Sequence, residues 1–306
     1  MEKAKFHGVI PPVSTIFDAN GKLDKKGMGT LIEFLIDSNV QGLFFLGTGG
    51  EFSQMSIEER KDVTNFAIKY VNGRLPVLIG TGSSNTREVI ELNDHAKEAG
   101  ADAVVVINPY YWTLSEQNLI KHYAEIAEAT DLPIILYNFP ALTGQDLTPE
   151  IVVKLADTYR NIIGIKDTVD SAGHIREMIL KVKSRYPEFS VLAGFDEHLF
   201  NTLGLGGDGV IPASANFLPE LTVGIYEAFE KKDYEKAVQL HQILAPVPLL
   251  YKIESPFISI VKEAIRFRNI DISTTVLAPS RDIEEDLKVE VKQIVEEAVR
   301  KLKEIV

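Results

Sequence analysis

Asn161-Ile162-Ile163-Gly164-Ile165-Lys166-Asp167-Thr168 is the stretch on which the fold turns. Apolar β-formers with a glycine among them lead straight into a lysine. A short apolar run bounded by turn residues reads as a buried strand. Lys166 then stands at the C-terminal end of that strand, with its stem in apolar surroundings. Burial disfavours an ammonium ion, so a lysine held this way offers a neutral, nucleophilic amine. A Schiff-base lysine needs that property. The same residues also read as a plain ion pair, Lys166 with Asp167, at a strand end. The rest of the chain decides between the two.

On both sides of this stretch, short apolar runs alternate with amphipathic ones. Gly8 to Thr15 reads as the first strand, with Pro11 and Pro12 at its irregular exit, and a helix covers about Lys26 to Ser38. Further strands fall at Gly42 to Leu46, Pro76 to Ile79, Ala103 to Ile107, Pro133 to Tyr137, the Lys166 strand itself, Ser190 to Ala193 and Gly209 to Ile211. Helix starts are marked by Ser56 with Glu59 as a capping box, by Ser115, and by Thr148 followed by Pro149. Eight strand–helix units in series predict a parallel sheet closed into a (β/α)8 TIM barrel. An open doubly wound sheet is the alternative, but it has fewer strands and a glycine-rich turn after the first. After a helix near Phe217 to Glu230 the alternation stops. A soft boundary near Lys232 therefore divides a catalytic barrel, residues 1–231, from a C-terminal helical extension, residues 232–306. In the extension Leu287, Val291, Ile294, Val295, Ala298, Leu302 and Ile305 recur at helical spacing, a stripe that needs a surface to pack on.

The composition of the 306 residues, 45% hydrophobic and 25% charged, is that of an ordinary globular protein. There is no cysteine, which excludes disulfides, thiolate nucleophiles and thiolate metal sites. The six histidines show no ligand spacing, and no cofactor or metal is expected. A net charge of -12 disfavours nucleic acid and anionic membranes as partners, yet leaves room for a small anionic substrate. The charged opening from Met1 to Lys5 has no apolar run behind it, and no stretch is long enough to span a bilayer. A cytoplasmic protein is expected.

In barrels of this kind the active site lies at the C-terminal ends of the strands. Lys166 and Tyr137 end neighbouring strands there. The glycine-rich loop after the second strand, Gly47 to Glu51, lets backbone N–H groups converge on a carboxylate. The fourth strand is followed by the Tyr110–Tyr111 pair. An amine, a proton shuttle of high pKa and a carboxylate cradle are the parts a Schiff-base enzyme needs. Taken singly, Tyr137 and Tyr111 also read as core tyrosines and Thr48 as a turn cap. Asp196-Glu197-His198 reads as a helix N-terminus, since three consecutive residues do not converge on a metal. Gly204-x-Gly206-x-x-Gly209 matches a dinucleotide-binding fingerprint in its letters, but it precedes a strand where the fingerprint must follow one.

GTGGE (Gly47–Glu51), NPYYW (Asn108–Trp112), YNFPALTGQDLTP (Tyr137–Pro149), GIKDT (Gly164–Thr168) and GGDGVI (Gly206–Ile211) together resemble the N-acetylneuraminate lyase / dihydrodipicolinate synthase family. The resemblance runs in order over the whole barrel. It implies a class I, pyruvate-handling lyase, built as a homotetramer of tight dimers. By position, Lys166 would form the imine and Tyr137 would be the general acid/base. Thr48 and Tyr111 would complete the proton relay, with Tyr111 lent across the dimer interface. The Thr48 and Gly49 amides would hold the carboxylate, and Ile211 would wall the pyruvate pocket. Synthase members carry a second threonine where this chain has Gly49, and an anion-gripping arginine where it has Leu142. The loops resemble instead the subgroup acting on 2-keto-3-deoxygluconate or the pentonate, with Gln145 or Ser214 as candidate partners for the sugar hydroxyls. The alternatives are dihydrodipicolinate synthase and a non-catalytic 2-keto acid binder.

Overall fold

A computed structural model describes residues 4–305; Met1, Glu2 and Lys3 of the charged opening lie outside the described residues. The strands are β1 Gly8–Val9, β2 Leu43–Phe45, β3 Val77–Gly80, β4 Ala103–Ile107, β5 Ile134–Asn138, β6 Ile162–Asp167, β7 Ser190–Ala193 and β8 Gly209–Val210. The helices are α1 Lys25–Asp37, α2 Ile57–Val71, α3 Thr86–Ala99, α4 Glu116–Ala129, α5 Pro140–Thr143, α6 Pro149–Thr158, α7 Ala172–Met178, α8 Leu199–Gly204, α9 Pro219–Glu230, α10 Tyr234–Leu244, α11 Ile258–Phe267 and α12 Glu285–Ile305. All strands are parallel, in the order β1-β8-β7-β6-β5-β4-β3-β2. A single parallel bridge, Pro12 with Phe44, joins the two ends of that order. The predicted TIM barrel is the fold.

β1 is much shorter than the expected Gly8 to Thr15. Pro11 and Pro12 have no N–H to donate, so a regular ladder cannot continue through them. What closes the barrel is the Phe44 N–H donating to the Pro11 carbonyl at 3.0 Å and the Val13 N–H donating to the Phe44 carbonyl at 2.8 Å. β4 and β7 fall on the residues expected, and Ser56, Ser115 and Thr148 cap α2, α4 and α6 as read, Ser56 within a full capping box. The four-residue α5 was not anticipated. Pro140 opens it with a preset φ and Gly144 ends it at φ +68°.

After α9 the remaining described elements are helical. Val291, Val295 and Ala298 of the α12 stripe are buried, and Leu287, Ile294, Leu302 and Ile305 pack half-buried against the same apolar cluster that fills the barrel. The stripe thus has its surface. Among the described residues no helix is long and apolar enough to cross a membrane.

Candidate active site

Side chains alternate between the two faces of a strand, so in β5 and β6 every second one points into the barrel. Tyr137 and Lys166 are register partners, as are Asn138 and Asp167 one step on. The first pair faces inward and the second outward. Lys166 Nζ lies 4.1 Å from the centre of the Tyr137 ring and 5.4 Å from that of Phe44. The Tyr137 hydroxyl is 3.0 Å from Thr48 Oγ1. Lys166 and Tyr137 are both buried, 4% and 3% exposed, so amine and phenol meet away from bulk water.

The ion pair between Lys166 and Asp167, the alternative reading of that stretch, is not formed. Asp167 turns outward and is taken by Asn138 Nδ2 at 2.9 Å and His174 Nδ1 at 2.8 Å. That leaves the Lys166 amine without a hydrogen bond or ion pair among the described residues. His174 also faces Asp146, with Nε2 3.2 Å from Oδ2. Ionised carboxylates only accept, so both ring nitrogens must donate and His174 is an imidazolium. Burial works against that charge, but the hydrogen bonds to Asp146 and Asp167 outweigh it and raise the pKa to about 10.

Thr48 opens a 3-10 turn, Thr48–Gly50. The first N–H groups of such a turn have no carbonyl behind them within it, so those of Thr48 and Gly49 are available to an anion. A side chain at Gly47 would place its Cβ 2.7 Å from the Phe44 ring, which is why the loop can pass so close to β2. Glu51, which ends the loop at φ +61°, is wholly buried and ion-paired to the equally buried Lys262 of α11. Lys262 also donates to the Thr275 carbonyl at 2.7 Å, and the Leu277 N–H donates to Glu51 Oε2 at 2.7 Å. Burial pushes Glu51 up and Lys262 down, and the pairing opposes both shifts. The C-terminal helices thereby anchor the loop. Lys262→Met strands a buried carboxylate and should cost about 3–5 kcal/mol of stability, whereas adding Glu51→Leu to it should recover most of the loss. Denaturant midpoints of the parent, the single variant and the double variant check this.

Thr48, Gly49, Tyr137, Lys166 and Ile211 line one cavity of about 410 Å3 at the C-terminal mouth of the barrel. It falls in the usual range for small-molecule sites, about 300–1,000 Å3. A larger groove of about 970 Å3 between the segment leading into α1 and helix α2 holds none of these residues. Tyr111 is not brought to the site within one chain. It is 80% exposed on the rim beside Trp112, 73% exposed. Two residues suggested for the sugar hydroxyls are also elsewhere. Gln145 spends its side chain on the Leu114 backbone, accepting at 3.1 Å and donating at 2.8 Å. Ser214 is buried with its hydroxyl and N–H both given to Asp196 Oδ1.

The residues missed by sequence reasoning line the outer part of the same cavity. Thr168 Oγ1 and Glu197 Oε2 are buried there without a hydrogen-bond partner. A Cβ at position 194 would sit 1.9 Å from Thr168 Oγ1, so Gly194 makes the room that hydroxyl occupies. Two-residue alternation from Lys166 could have flagged Thr168. Asp196 is fully buried, and burial pushes its pKa up to about 6 against the two Ser214 hydrogen bonds. Leu142, on α5, lies at the mouth and is 55% exposed. Among the described residues no group of three or more His, Asp or Glu could hold a metal ion.

The model of the dihydrodipicolinate synthetase family matches residues 5–298. The chain belongs to that family. It is 54% identical over 296 residues, 97% of this chain and 98% of the other, to an Escherichia coli K12 protein named "Putative 2-dehydro-3-deoxy-D-gluconate aldolase YagE". It is 51% identical over 284 residues, 93% and 94% of the two chains, to the K12 protein named "Probable 2-dehydro-3-deoxy-D-pentonate aldolase YjhH". The crystal structure of YagE in complex with pyruvate superposes with a TM-score of 0.96, covering 97% of this chain and 99% of that one. The family uses pyruvate, and this member is a carbon–carbon lyase.

Proposed function

We propose that the enzyme is a Schiff-base aldolase that reversibly cleaves a 2-keto-3-deoxy sugar acid, 2-keto-3-deoxygluconate or the pentonate, to pyruvate and a hydroxyaldehyde. The observation that carries this reading is the buried, unpaired Lys166 amine against the Tyr137 ring, with the Tyr137 hydroxyl bonded to Thr48. Lys166 Nζ attacks the C2 carbonyl and water leaves, giving a protonated imine. The substrate carboxylate rests on the Thr48 and Gly49 N–H groups, with Ile211 as the wall. Tyr137 takes the proton of the C4 hydroxyl as the C3–C4 bond breaks. The electron pair of that bond runs into the iminium, leaving an enamine and releasing the aldehyde. Protonation of the enamine at C3 and hydrolysis then return pyruvate and the amine. The distal hydroxyls, which would otherwise lose hydrogen bonds on burial, are left to the polar residues that line the cavity beyond Lys166, Thr168 and Glu197 among them.

The experiment is a panel of 2-keto-3-deoxy acids assayed for pyruvate release, set against pyruvate plus aspartate semialdehyde. Release from a sugar acid at the higher kcat/KM supports the aldolase; faster condensation of the semialdehyde makes it a synthase.

We extend the reading to assembly. Tyr110, Tyr111 and Trp112 form an exposed aromatic rim, the composition of an interface. A homotetramer built from dimers would set Tyr111 near a neighbour's cavity, where it completes the relay through Thr48. Tyr111→Ala should then cost about a hundredfold in kcat, the low end for an acid–base group, with sedimentation reporting assembly in parallel. A strictly monomeric, fully active parent enzyme removes that role.

A further inference from the structure

Behind Tyr137 and Lys166, on the outer side of the sheet, the next residue of each strand enters a closed ring of four side chains. Asn138 Nδ2 donates to Asp146 Oδ1 at 2.7 Å and to Asp167 Oδ1 at 2.9 Å. His174 holds the second oxygen of each carboxylate, Asp167 at 2.8 Å and Asp146 at 3.2 Å. The remaining polar atom of Asn138, Oδ1, accepts from the Leu147 N–H at 3.0 Å. The ring is drawn from four places in the chain: the ends of β5 and β6, the segment before α6, and α7. Asn138 and Asp167 are opposite one another in the ladder, one step beyond the pairing of Tyr137 with Lys166.

We propose that His174 is a positioning residue for the reaction, fixing the ends of β5 and β6 through the Asn138–Asp146–Asp167 ring so that the Tyr137 phenol and the Lys166 amine keep one mutual orientation. This rests on the Schiff-base reading above. The geometry argues for it in three ways. Each carboxylate is held at both oxygens, so neither can rotate. A closed ring restrains four backbone segments at once, where a single hydrogen bond would restrain two. The alternation of β6 turns Asp167 away from Lys166 and the ring holds it there, so no neighbouring carboxylate holds Lys166 as an ammonium ion. Reacting groups displaced by about an ångström lose about a hundredfold in rate, so an ordered ring one residue away bears on turnover without touching substrate.

The test uses the intact enzyme and pyruvate alone. Deuterium incorporation into the pyruvate methyl group in heavy water gives kcat and KM for enamine formation, and borohydride trapping gives the rate of imine formation at Lys166. His174→Gln offers a single donor nitrogen, with a carbonyl oxygen beside it, where the imidazolium presents two N–H groups on different sides of a ring, so it cannot span the two carboxylates in the same geometry. It should lower kcat roughly 30- to 100-fold and slow trapping in parallel, with KM for pyruvate within about threefold of the parent. Asp146→Ala opens the ring at its more exposed corner and should lower kcat roughly tenfold. Asp146→Asn can close the ring again, its amide donating to a neutral His174, and should return kcat to within about threefold of the parent. A folded His174→Gln enzyme with kcat within threefold of the parent, or a loss confined to KM, overturns the proposal. Should His174→Gln not fold, equal kcat for Asp146→Ala and Asp146→Asn overturns it. A parent enzyme that traps no pyruvate on Lys166 overturns the Schiff-base reading, and this role with it.

Discussion

Treating the enzyme with pyruvate and borohydride is expected to fix one pyruvate-derived adduct on Lys166, and Lys166→Arg is expected to abolish both the adduct and turnover. Arginine keeps the length and the positive charge, but a guanidinium does not deprotonate in proteins and cannot supply the amine lone pair that attacks a carbonyl. The substitution therefore separates covalent chemistry from electrostatic attraction of the substrate carboxylate. If Lys166 served only as a cation, Lys166→Arg would leave much of the activity. If it forms the imine, the electron sink for C3–C4 cleavage disappears. The loss should then be on the order of 10^4-fold or more, about 5 kcal/mol of activation free energy. The local structure should tolerate the change, since the Lys166 amine makes no hydrogen bond among the described residues that the variant must break. Peptide mapping locates the adduct, and a stopped-time assay of the variant measures the residual rate. An adduct on Lys262 or any other lysine, or an active Lys166→Arg enzyme, rejects the Schiff-base mechanism.

The barrel was legible because its strands are buried on both faces and so appear as apolar runs. Ala103–Ile107 shows nothing else and Ser190–Ala193 is apolar after its opening serine, and the bounds of both match the sequence reading. β1 was misread in length because Pro11 and Pro12 sit in an apolar context yet cannot donate to a ladder. α5 was invisible because four residues carry no periodicity; only Pro140 and Gly144 mark it. At the site, the Tyr137–Lys166–Thr48 contact was recoverable, since strand order makes the first two neighbours. The partners of Asp167 were not. They come from residues 138, 146 and 174, and while strand alternation already turns Asp167 away from Lys166, nothing in that spacing says that the four side chains close into a ring. Gln145 failed as a substrate ligand for a similar reason: its amide matches the Leu114 backbone N–H and carbonyl at once, and that pairing holds it outside the cavity. Thr168 and Glu197 were passed over because an orphaned buried oxygen is a three-dimensional fact.

On the reading proposed above, which aldehyde the enzyme handles turns on Leu142. Its side chain stands at the mouth of the 410 Å3 cavity that Lys166 floors, where an arginine would grip a second carboxylate. An apolar side chain there cannot do so. A 2-keto-3-deoxy sugar acid brings only one carboxylate, which on the proposed reading rests on the Thr48 and Gly49 amides, and its far end is polyhydroxyl. Aspartate semialdehyde brings a second anion to a place with no cation to meet it. A missing charged partner costs about 2–3 kcal/mol, roughly a hundredfold in specificity. We expect kcat/KM for 2-keto-3-deoxygluconate or the pentonate to exceed that for pyruvate plus aspartate semialdehyde by at least about that factor. Leu142→Arg should raise condensation of the semialdehyde and depress sugar-acid cleavage, because the new guanidinium crowds the region where the distal hydroxyls reach Thr168 and Glu197. The two activities should move in opposite directions while the rate of borohydride trapping with pyruvate alone stays unchanged, since that half of the site is not altered. If the parent condenses aspartate semialdehyde faster than it cleaves any sugar acid, or if Leu142→Arg shifts both activities the same way, Leu142 does not set the substrate class.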